Sequence, residues 1–290
     1  MTAVEKAAGA APMKSRRSAD RIRLVVTHLS LMALAVVFVA PFYWMVSTSL
    51  KQDRQIFDPA SWYPNPVMWA NYKHALTYIP FLRYTENTLL ICAVSMFGTV
   101  LSCSLVAYSF GRIQWKGRDA LFVLVLATLM LPGQVTMIPV FLIFKWLGWI
   151  GSYKPLLVPT FFGSAFYVFL LRQFFRSIPA ELSESARMDG ATEGGIYARI
   201  IMPLSKPALA TVALFTFIGA WTDFMGPLLF INDPNKYTLS LGLQQFVSQH
   251  GAEWSMLMAA STVMALPIIV LYFLAQRTFV EGITLTGIKG

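Results

Sequence analysis

Long apolar stretches recur along the chain and alternate with shorter segments that carry most of its charged residues. A helix needs about 20 apolar residues to cross the hydrocarbon core of a bilayer, and six stretches approach or exceed that length. Only the fifth contains a charged residue, a single Asp. The pattern therefore predicts an all-α, polytopic membrane protein with six transmembrane helices. The predicted spans are 24–50, 87–111, 120–144, 155–171, 207–230 and 254–276.

The composition agrees with a membrane protein and excludes other classes. Of the 290 residues, 56% are hydrophobic and 13% are charged, and the mean hydropathy is +0.58. A soluble globular domain carries about 25% charged residues, and a disordered chain lacks such an apolar surplus. The two cysteines, Cys92 and Cys103, lie in one apolar stretch, which excludes a disulfide scaffold and offers no metal-ligand spacing.

The basic residues fall unevenly on the two sides of the predicted membrane. With the N-terminus in the cytosol, 16 of the 23 Lys and Arg residues lie in cytosolic segments and 7 in outer segments. This positive-inside bias predicts that both termini are cytosolic. It also accounts for the net charge of +9 without a nucleic-acid partner. The first span is longer than a signal-peptide core, so we expect it to be retained, after a flexible basic arm at 1–20 near anionic lipid.

Two connections are long enough to have structure of their own. The outer segment 51–86 is rich in aromatic residues, which are typical of an interfacial segment. It serves either as a docking surface or as an aromatic belt alone. The cytosolic segment 172–206 is predicted to form a helix over 180–188, a turn at Gly190 and a second short helix over 193–201. Pro203 and Pro207 then break the chain before the fifth span.

This cytosolic segment carries a spaced motif. Glu184-Ser185-Ala186 is followed after three residues by Gly190, after nine more by Ile200, and after one more by Met202-Pro203. The spacing resembles the E-A-A-x3-G-x9-I-x-L-P signature of permease subunits in bacterial ABC importers, with Ser185 and Met202 as departures. Further likeness to the shorter permease of maltose-type carbohydrate importers lies at 131–139, 221–223, 237–239 and 275–290.

The resemblance implies a permease with the type I ABC importer fold in the bacterial cytoplasmic (inner) membrane. Its implied partners are a second permease in a heterodimer, a dimer of ATPase subunits, an extracytoplasmic sugar-binding protein and membrane lipid. Its implied cargo is a di- or oligosaccharide or a related sugar. ATP and Mg would bind the partner ATPase, so no cofactor is expected in this chain.

The resemblance also implies roles for individual residues. Segment 172–206 would be the coupling loop, and its implied ATPase contacts are Glu181, Glu184, Ser185, Ala186, Met188, Asp189, Gly190, Ala191 and Pro203. The tail 278–290 would also contact the ATPase, in an extended or turn-like conformation. Its implied contact residues are Thr286, Gly287, Ile288 and Lys289.

Two intramembrane features are candidates for the translocation path. Pro132, Gly133 and Pro139 interrupt the third span and free backbone groups, so Gln134 beside them is a candidate lining residue. Asp223 in the fifth span has to face protein or water, because a charge facing lipid costs several kcal/mol. Asp223, with nearby Trp221, either lines the path or its outer gate, or locks a helix through a hydrogen bond.

Catalytic motifs are missing from the chain. The sequence contains no G-x-x-x-x-G-K-[ST], H-E-x-x-H, G-x-S-x-G or C-x-x-C motif, so we expect no enzymatic site. A secondary sugar carrier would also be polytopic, but it should show related halves and several intramembrane ionisable groups. A membrane scaffold would explain the spans and leave segment 172–206 without a purpose.

Overall fold

The computed structural model describes the backbone of residues 13–58, 61–248 and 251–287, and the side chains of 21–58, 61–247 and 251–276. This part of the chain is almost entirely helical, as the apolar pattern predicts. The helices are α1 (Met13–Ser49), α2 (Asp53–Ile56), α3 (Ala70–Tyr78), α4 (Phe81–Arg112), α5 (Arg118–Ala127), α6 (Gly133–Trp146), α7 (Lys154–Leu157), α8 (Ala165–Ser177), α9 (Ala180–Met188), α10 (Glu193–Ile196), α11 (Met202–Leu204), α12 (Lys206–Thr222), α13 (Met225–Phe230), α14 (Leu239–Leu243) and α15 (Trp254–Gly287).

Shorter elements complete the description. Single turns of 3-10 helix lie at Thr128–Met130, Val158–Phe162, Pro234–Lys236 and Gln244–Phe246, and a π-helical turn lies at Tyr197–Ile201. A two-residue antiparallel hairpin, β1 (Val247–Ser248) and β2 (Gly251–Ala252), precedes α15, with Val247 opposite Ala252 and Ser248 opposite Gly251. This hairpin is the one departure from an all-α chain among the described residues.

Four described segments are long and apolar enough to cross a membrane without a sharp bend. They are Arg21–Ser49, Phe81–Arg112, Lys154–Ser177 and Trp254–Gln276. These match the predicted first, second, fourth and sixth spans, and the second extends further at its N-terminal side than predicted. The apolar window of the first segment buries none of its residues inside the chain, which suits a helix surrounded by lipid.

The predicted third and fifth spans are not straight helices. Arg118–Met130 and Gly133–Trp146 meet at an angle of 99°, and the break at Leu131 and Pro132 confirms the predicted interruption there. The predicted interruption at Pro139 is wrong, because α6 continues through this residue. Each piece is about 20 Å long at 1.5 Å per residue, which is shorter than the roughly 30 Å bilayer core. The predicted fifth span, 207–230, is divided between α12, which ends at Thr222, and α13, which begins at Met225. The preceding segment Glu193–Leu204 joins α12 at 78°.

Both ends of the chain differ from their predicted form. The flexible arm was expected to include residues up to 20, but α1 already begins at Met13, because nothing between Met13 and the first span breaks a helix. Residues 1–12 lie outside the described part. At the other end α15 continues through Gly287, so the extended tail conformation is wrong for 278–287, since no proline follows Pro267 to end the sixth helix.

Helix α4 lies at the centre of the fold and packs against both α8 and α12. Around its Arg112 end, a buried cluster joins α4 to α8, α10 and α12 through Ala107, Phe175, Ile196 and Val212. We call this the loop end of α4, because segment 172–206 lies against it. The small residues of α4 allow close packing: a Cβ added to Gly98 would lie 2.6 Å from Thr160 Oγ1.

A second buried cluster surrounds the Phe81 end of α4, which we call its far end. Here Tyr84 packs with Trp221 of α12, Leu239 of α14, and Phe246. The carbonyl oxygen of Met264 in α15 accepts a hydrogen bond from the Trp221 indole at 3.0 Å. The two clusters place the loop 172–206 and the segment after α13 at opposite ends of one helix.

The aromatic segment 51–86 is anchored to the end of α1 by a buried lysine. Lys51 Nζ donates to the carbonyl oxygen of Ser61 at 2.6 Å and lies 4.2 Å from the ring centre of Trp44. Burial lowers the pKa of Lys51. Trp62 and Trp69 remain exposed, as an interfacial segment requires. This geometry is compatible with both an aromatic belt and a docking surface.

Candidate functional site

The loop 172–206 begins later than predicted. Helix α8 continues to Ser177, and Arg172 is a buried part of it rather than a loop residue. The Arg172 Nε donates to the carbonyl oxygen of Phe110 at 3.0 Å, and its guanidinium lies 3.9 Å from the ring centre of Phe122. Its position at the end of an apolar run suggested a loop, but a charge satisfied in this way is compatible with burial.

Helix α9 has the predicted bounds, Ala180–Met188, and local sequence explains both of its ends. Pro179 precedes the first turn, where the backbone N–H that proline lacks would have no acceptor within the helix. Glu181 in the first turn and Arg187 in the last turn complement the helix dipole. The helix stands out from the fold, since Glu181, Glu184 and Ser185 are exposed and Met188 is 89% exposed.

Gly190 ends α9 as predicted, through a defined capping arrangement. Its φ of 80° is left-handed, and its N–H donates to the carbonyl oxygen of Arg187 at 3.0 Å. The N–H of Ala191 donates to the carbonyl oxygen of Ala186 at 2.9 Å. This pair of bonds is the Schellman motif, with glycine at the left-handed position. A Cβ at Gly190 would meet no atom within 4 Å, so the requirement for glycine is conformational rather than steric.

The second helical piece starts at a side-chain cap and ends before the fifth span. Thr192 Oγ1 accepts a hydrogen bond from the N–H of Gly195 at 3.2 Å and so begins α10. The predicted helix over 193–201 is present as α10 followed by the π-helical turn, and α11 carries exposed Pro203. The direction then changes at Ser205, close to the predicted proline break.

An ion pair crosses the Gly190 turn. Glu193 Oε1 accepts from Arg187 Nε at 2.8 Å, while Glu193 Oε2 accepts from the Tyr108 hydroxyl of α4 at 2.7 Å. The hydrogen bond from Arg187, followed by that from Tyr108, lowers the pKa of Glu193. Arg187 and Glu193 are each about two-fifths exposed, so the ion pair fixes geometry more than it adds stability.

Further contacts from α4 hold the start of the loop. The Arg112 guanidinium donates to the carbonyl oxygens of Ile178 at 2.7 Å and Pro179 at 3.1 Å, and to Ser183 Oγ at 2.6 Å. One turn and two turns earlier, α4 carries Tyr108 and Ser104. The sequence analysis does not assign these three residues to the site. Their signal was polar side chains recurring every four positions at the end of an apolar helix.

A cleft opens beside the Gly190 turn. It has a volume of about 460 Å³ and is lined by Gly190, Ala191, Thr192, Gly195, Arg199 and Ile200. Together with the exposed face of α9, the cleft forms a surface that presents a short stiff helix next to a recess. In the part of the chain with described side chains, no group of three His, Cys, Asp or Glu residues is placed to hold a metal ion.

Residues 98–284 match the family model described as "Binding-protein-dependent transport system inner membrane component". This range contains the bent third span, the loop 172–206 and most of α15. The chain belongs to that family. The permease is therefore a multi-pass inner-membrane component of a binding-protein-dependent transport system, and not itself a catalyst. Membership decides against a secondary carrier and against a scaffold.

Relatives match most of the permease. It is 34% identical to "Probable ABC transporter permease protein YurM" of Bacillus subtilis (strain 168), over 92% of this chain and 88% of the relative. It is 31% identical to "Arabinooligosaccharides transport system permease protein AraQ" of the same organism, over 92% and 96%. It is 30% identical to "Maltose/maltodextrin transport system permease protein MalG" of Escherichia coli (strain K12), over 93% and 97%.

A solved structure has the same fold. A chain of a bacterial ABC transporter involved in the import of the acidic polysaccharide alginate superposes with a TM-score of 0.79 at 23% identity, covering 89% of the permease and 97% of that chain. The similarity confirms the ABC importer permease fold.

The candidate residues of the translocation path do not form one group in the permease. Gln134 is exposed at the start of α6, just after the 99° bend. Asp223 is partly buried at the end of α12, where its carboxylate accepts from the N–H of Gly226 at 3.0 Å. Trp221 is only 1% exposed and packs inside the fold, so it has no free surface with which to line a path.

The tail contacts are only partly within view. Thr286 and Gly287 belong to α15 by backbone, and Ile288 and Lys289 lie outside the described residues. Their ATPase contact stays a prediction. The coupling residues of α9 and the Gly190 turn are brought together on one exposed surface, whereas Ala186 and Ala191 are half-buried against the loop end of α4.

Proposed function

We propose that this permease forms one half of the membrane path of an ATP-driven carbohydrate importer, and that α9 with the Gly190 turn couples it to an ATPase subunit. The observation that carries the proposal is the exposed α9, which follows Pro179, ends in the Schellman cap at Gly190 and lies beside a cleft. A short helix held this rigidly transmits a push without bending. Its acidic residues Glu181 and Glu184 suit pairing with basic groups on a partner.

The remaining subunits follow from the need for an energy source and a cargo carrier. The chain has no phosphate-binding loop, so ATP and Mg bind a dimer of ATPase subunits. A second, different permease completes the path, and an extracytoplasmic sugar-binding protein delivers the cargo. The exposed apolar surfaces of the bent third segment, including Met130 and Trp146, suit contact with the second permease or with lipid.

The cargo is a di- or oligosaccharide or a related sugar. Support comes from relatives that are named for arabinooligosaccharide and for maltose or maltodextrin transport and that match the chain over nearly its whole length. Within the path, Gln134 offers an exposed amide beside the third-span bend. Asp223 holds the joint between α12 and α13 and sets the shape of the path there.

The proposed orientation places both termini and the coupling loop in the cytosol. The 16 to 7 distribution of basic residues supports it. In this orientation the loop end of α4 faces the ATPase subunits and its far end faces outward. The end of α15 lies on the same cytosolic side in this orientation. Thr286, Gly287, Ile288 and Lys289 are its proposed second ATPase contact.

Transport by reconstituted complexes tests the proposal. The permease is purified alone and with its companion permease and ATPase subunits, placed in liposomes, and supplied with its binding protein. Uptake of labelled maltose, maltotriose and arabinotriose is then measured with and without ATP. We expect ATP-dependent uptake of at least one of these sugars by the full complex and none by the permease alone. Uptake by the isolated permease contradicts ATP coupling, and a complex that hydrolyses ATP in response to its binding protein but carries no sugar contradicts the carbohydrate cargo.

A further inference from the structure

Helix α4 carries two groups of polar residues, one at each end, and each group holds a different functional segment. At the loop end, Ser104, Tyr108 and Arg112 are spaced four residues apart and therefore lie on one face of the helix. At the far end, Arg83, Asn87 and Thr88 occupy the first two turns. We call these sets the loop-end ladder and the far-end ladder.

The loop-end ladder contacts the coupling loop at three separate points. Ser104 Oγ lies 2.8 Å from the Tyr197 hydroxyl in the π-helical turn. The Tyr108 hydroxyl donates to Glu193 at 2.7 Å, just beyond the Gly190 turn. Arg112 holds the loop's first residues, from Ile178 to Ser183, as described above. The helix therefore contacts the loop before, beside and after α9.

These contacts are stronger constraints than exposed surface bonds. Ser104 is fully buried and Tyr108 is 5% exposed, so their hydroxyl groups are shielded from competing water. Arg112 donates to the carbonyl oxygens of Phe175, in the last turn of α8, and of Ile178, just after it. A cation at the C-terminal end of a helix is also favoured by the helix dipole.

The far-end ladder holds the segment between α13 and α14. Asn87 Nδ2 donates to the carbonyl oxygens of Asn235 and Tyr237, both at 3.0 Å. Thr88 Oγ1 accepts from the N–H of Leu239 at 2.8 Å. Arg83 adds a bond to Asn235 Oδ1 at 2.9 Å. Helix α14, which follows this segment, contacts the joint at Asp223, because the Asp223 carbonyl oxygen accepts from Ser240 Oγ.

Helix α4, which carries both ladders, is one unbroken helix of 32 residues without an internal proline. At 1.5 Å per residue it is about 48 Å long, enough to cross the membrane. We propose that α4 is a strut that transfers movement of the coupling loop to the segment 231–238, with Tyr108 and Asn87 as the positioning residues at its two ends. This inference rests on the proposed coupling of the loop to an ATPase.

The strut makes the two ends respond together. A movement of α9 driven by ATPase closure is passed to α4 through three contacts, because a helix held at three points on one face cannot rotate or slide independently of the loop. The far end of α4 then moves segment 231–238. A purely structural role for Tyr108 or Asn87 would instead change only how much complex assembles.

The response of the far end to nucleotide tests this transfer. A thiol is introduced at exposed Pro234 (Pro234→Cys) in the full complex in liposomes, where native Cys92 and Cys103 are buried. Its rate of modification by a membrane-impermeant maleimide is measured with and without ATP plus vanadate. We expect the two rates to differ in this parent complex, so that their ratio departs from one. In Tyr108→Phe and in Asn87→Ala the ratio should lie closer to one than in the parent, by a factor of about five or more.

A matched control and a paired variant sharpen the result. Lys116→Gln removes a basic, exposed residue four positions after Arg112, on the same side of the molecule, and should leave the ratio unchanged. If both residues act through one strut, the rate ratio of the double variant should be no closer to one than the ratio of the more severe single variant. Arg83→Gln replaces Asn87→Ala if the latter does not assemble.

The outcomes separate the two levels of the account. A parent complex that takes up sugar with ATP but shows no change at position 234 overturns the strut and leaves the proposed function intact, whereas a parent complex that takes up no sugar contradicts the proposed function itself. A parent complex that responds, while Tyr108→Phe and the far-end variant respond equally well and assemble normally, overturns the strut and leaves the proposed function intact. A rate ratio close to one in the Lys116→Gln control likewise overturns the assignment to Tyr108 and Asn87.

Discussion

Replacing Gly190 by alanine isolates the conformational part of the coupling turn. Gly190 has a φ of 80°, a region that costs an L-residue about 1–2 kcal/mol. A Cβ there meets no atom within 4 Å, so no packing term is added. When the exposed turn relaxes in the undocked permease, docking has to restore the strained conformation. The expected penalty is then about 5- to 30-fold in the dissociation constant of the ATPase subunits.

Gly194 supplies the matched control, because it undergoes the same chemical change four residues away. It lies in α10 with no left-handed φ, and its added Cβ also meets nothing within 4 Å. Alanine is favoured over glycine inside a helix by about 0.5–1 kcal/mol, so Gly194→Ala should leave docking unchanged or improved.

The assay is titration of purified ATPase subunits against the permease pair in nanodiscs, with each variant's assembled fraction measured in the same sample. We expect weaker docking for Gly190→Ala and normal or tighter docking for Gly194→Ala. Equal dissociation constants for the two variants would refute the reasoning that the Gly190 turn has to keep its left-handed geometry when the ATPase binds.

Three further predictions follow from single contacts. Gly98→Ala should destabilise the permease by about 1–3 kcal/mol, because its Cβ would lie 2.6 Å from Thr160 Oγ1. This loss should appear as a lower melting temperature in detergent, whereas Gly133→Ala, whose Cβ would enter open space, should leave the melting temperature unchanged. Glu184→Lys should weaken ATPase docking by reversing an exposed charge on α9, and a permease with the same reversal at Glu86, at the far end of α4, should dock normally. Deletion of residues 284–290 should lower stimulated ATP hydrolysis without lowering the amount of permease in the membrane, and unchanged hydrolysis would show that the tail is dispensable.

The local signals in the sequence predict the helical parts well. The bounds of α9 were predicted correctly because a proline and a glycine mark its two ends, and both act through their own backbone geometry. Four of the six predicted spans are continuous helices. They could be predicted because an apolar run of sufficient length is a local property of the sequence. The break at Pro132 was predicted for the same reason, but its 99° angle was not, since the angle depends on packing against distant helices.

Contacts between distant parts of the chain were not predictable. Tyr108 and Glu193 are 85 positions apart, and only the fold brings the hydroxyl and the carboxylate to 2.7 Å. Trp221 was grouped with the path because it is next to an acidic residue, yet α12 turns its indole towards Met264 of α15. The start of the loop was placed too early because the burial of Arg172 depends on Phe122, 50 positions before it.

Photo-crosslinking from α9 tests the central claim most directly. A photoreactive amino acid replaces Met188, which is 89% exposed beside the Gly190 turn, in a complex assembled in native membranes. The same replacement at Trp146, which is 85% exposed at the end of α6, is the control. The account predicts that position 188 crosslinks to the ATPase subunit and that position 146 does not. Absence of an ATPase crosslink from position 188 in an assembled complex, or an equally strong one from position 146, would contradict it.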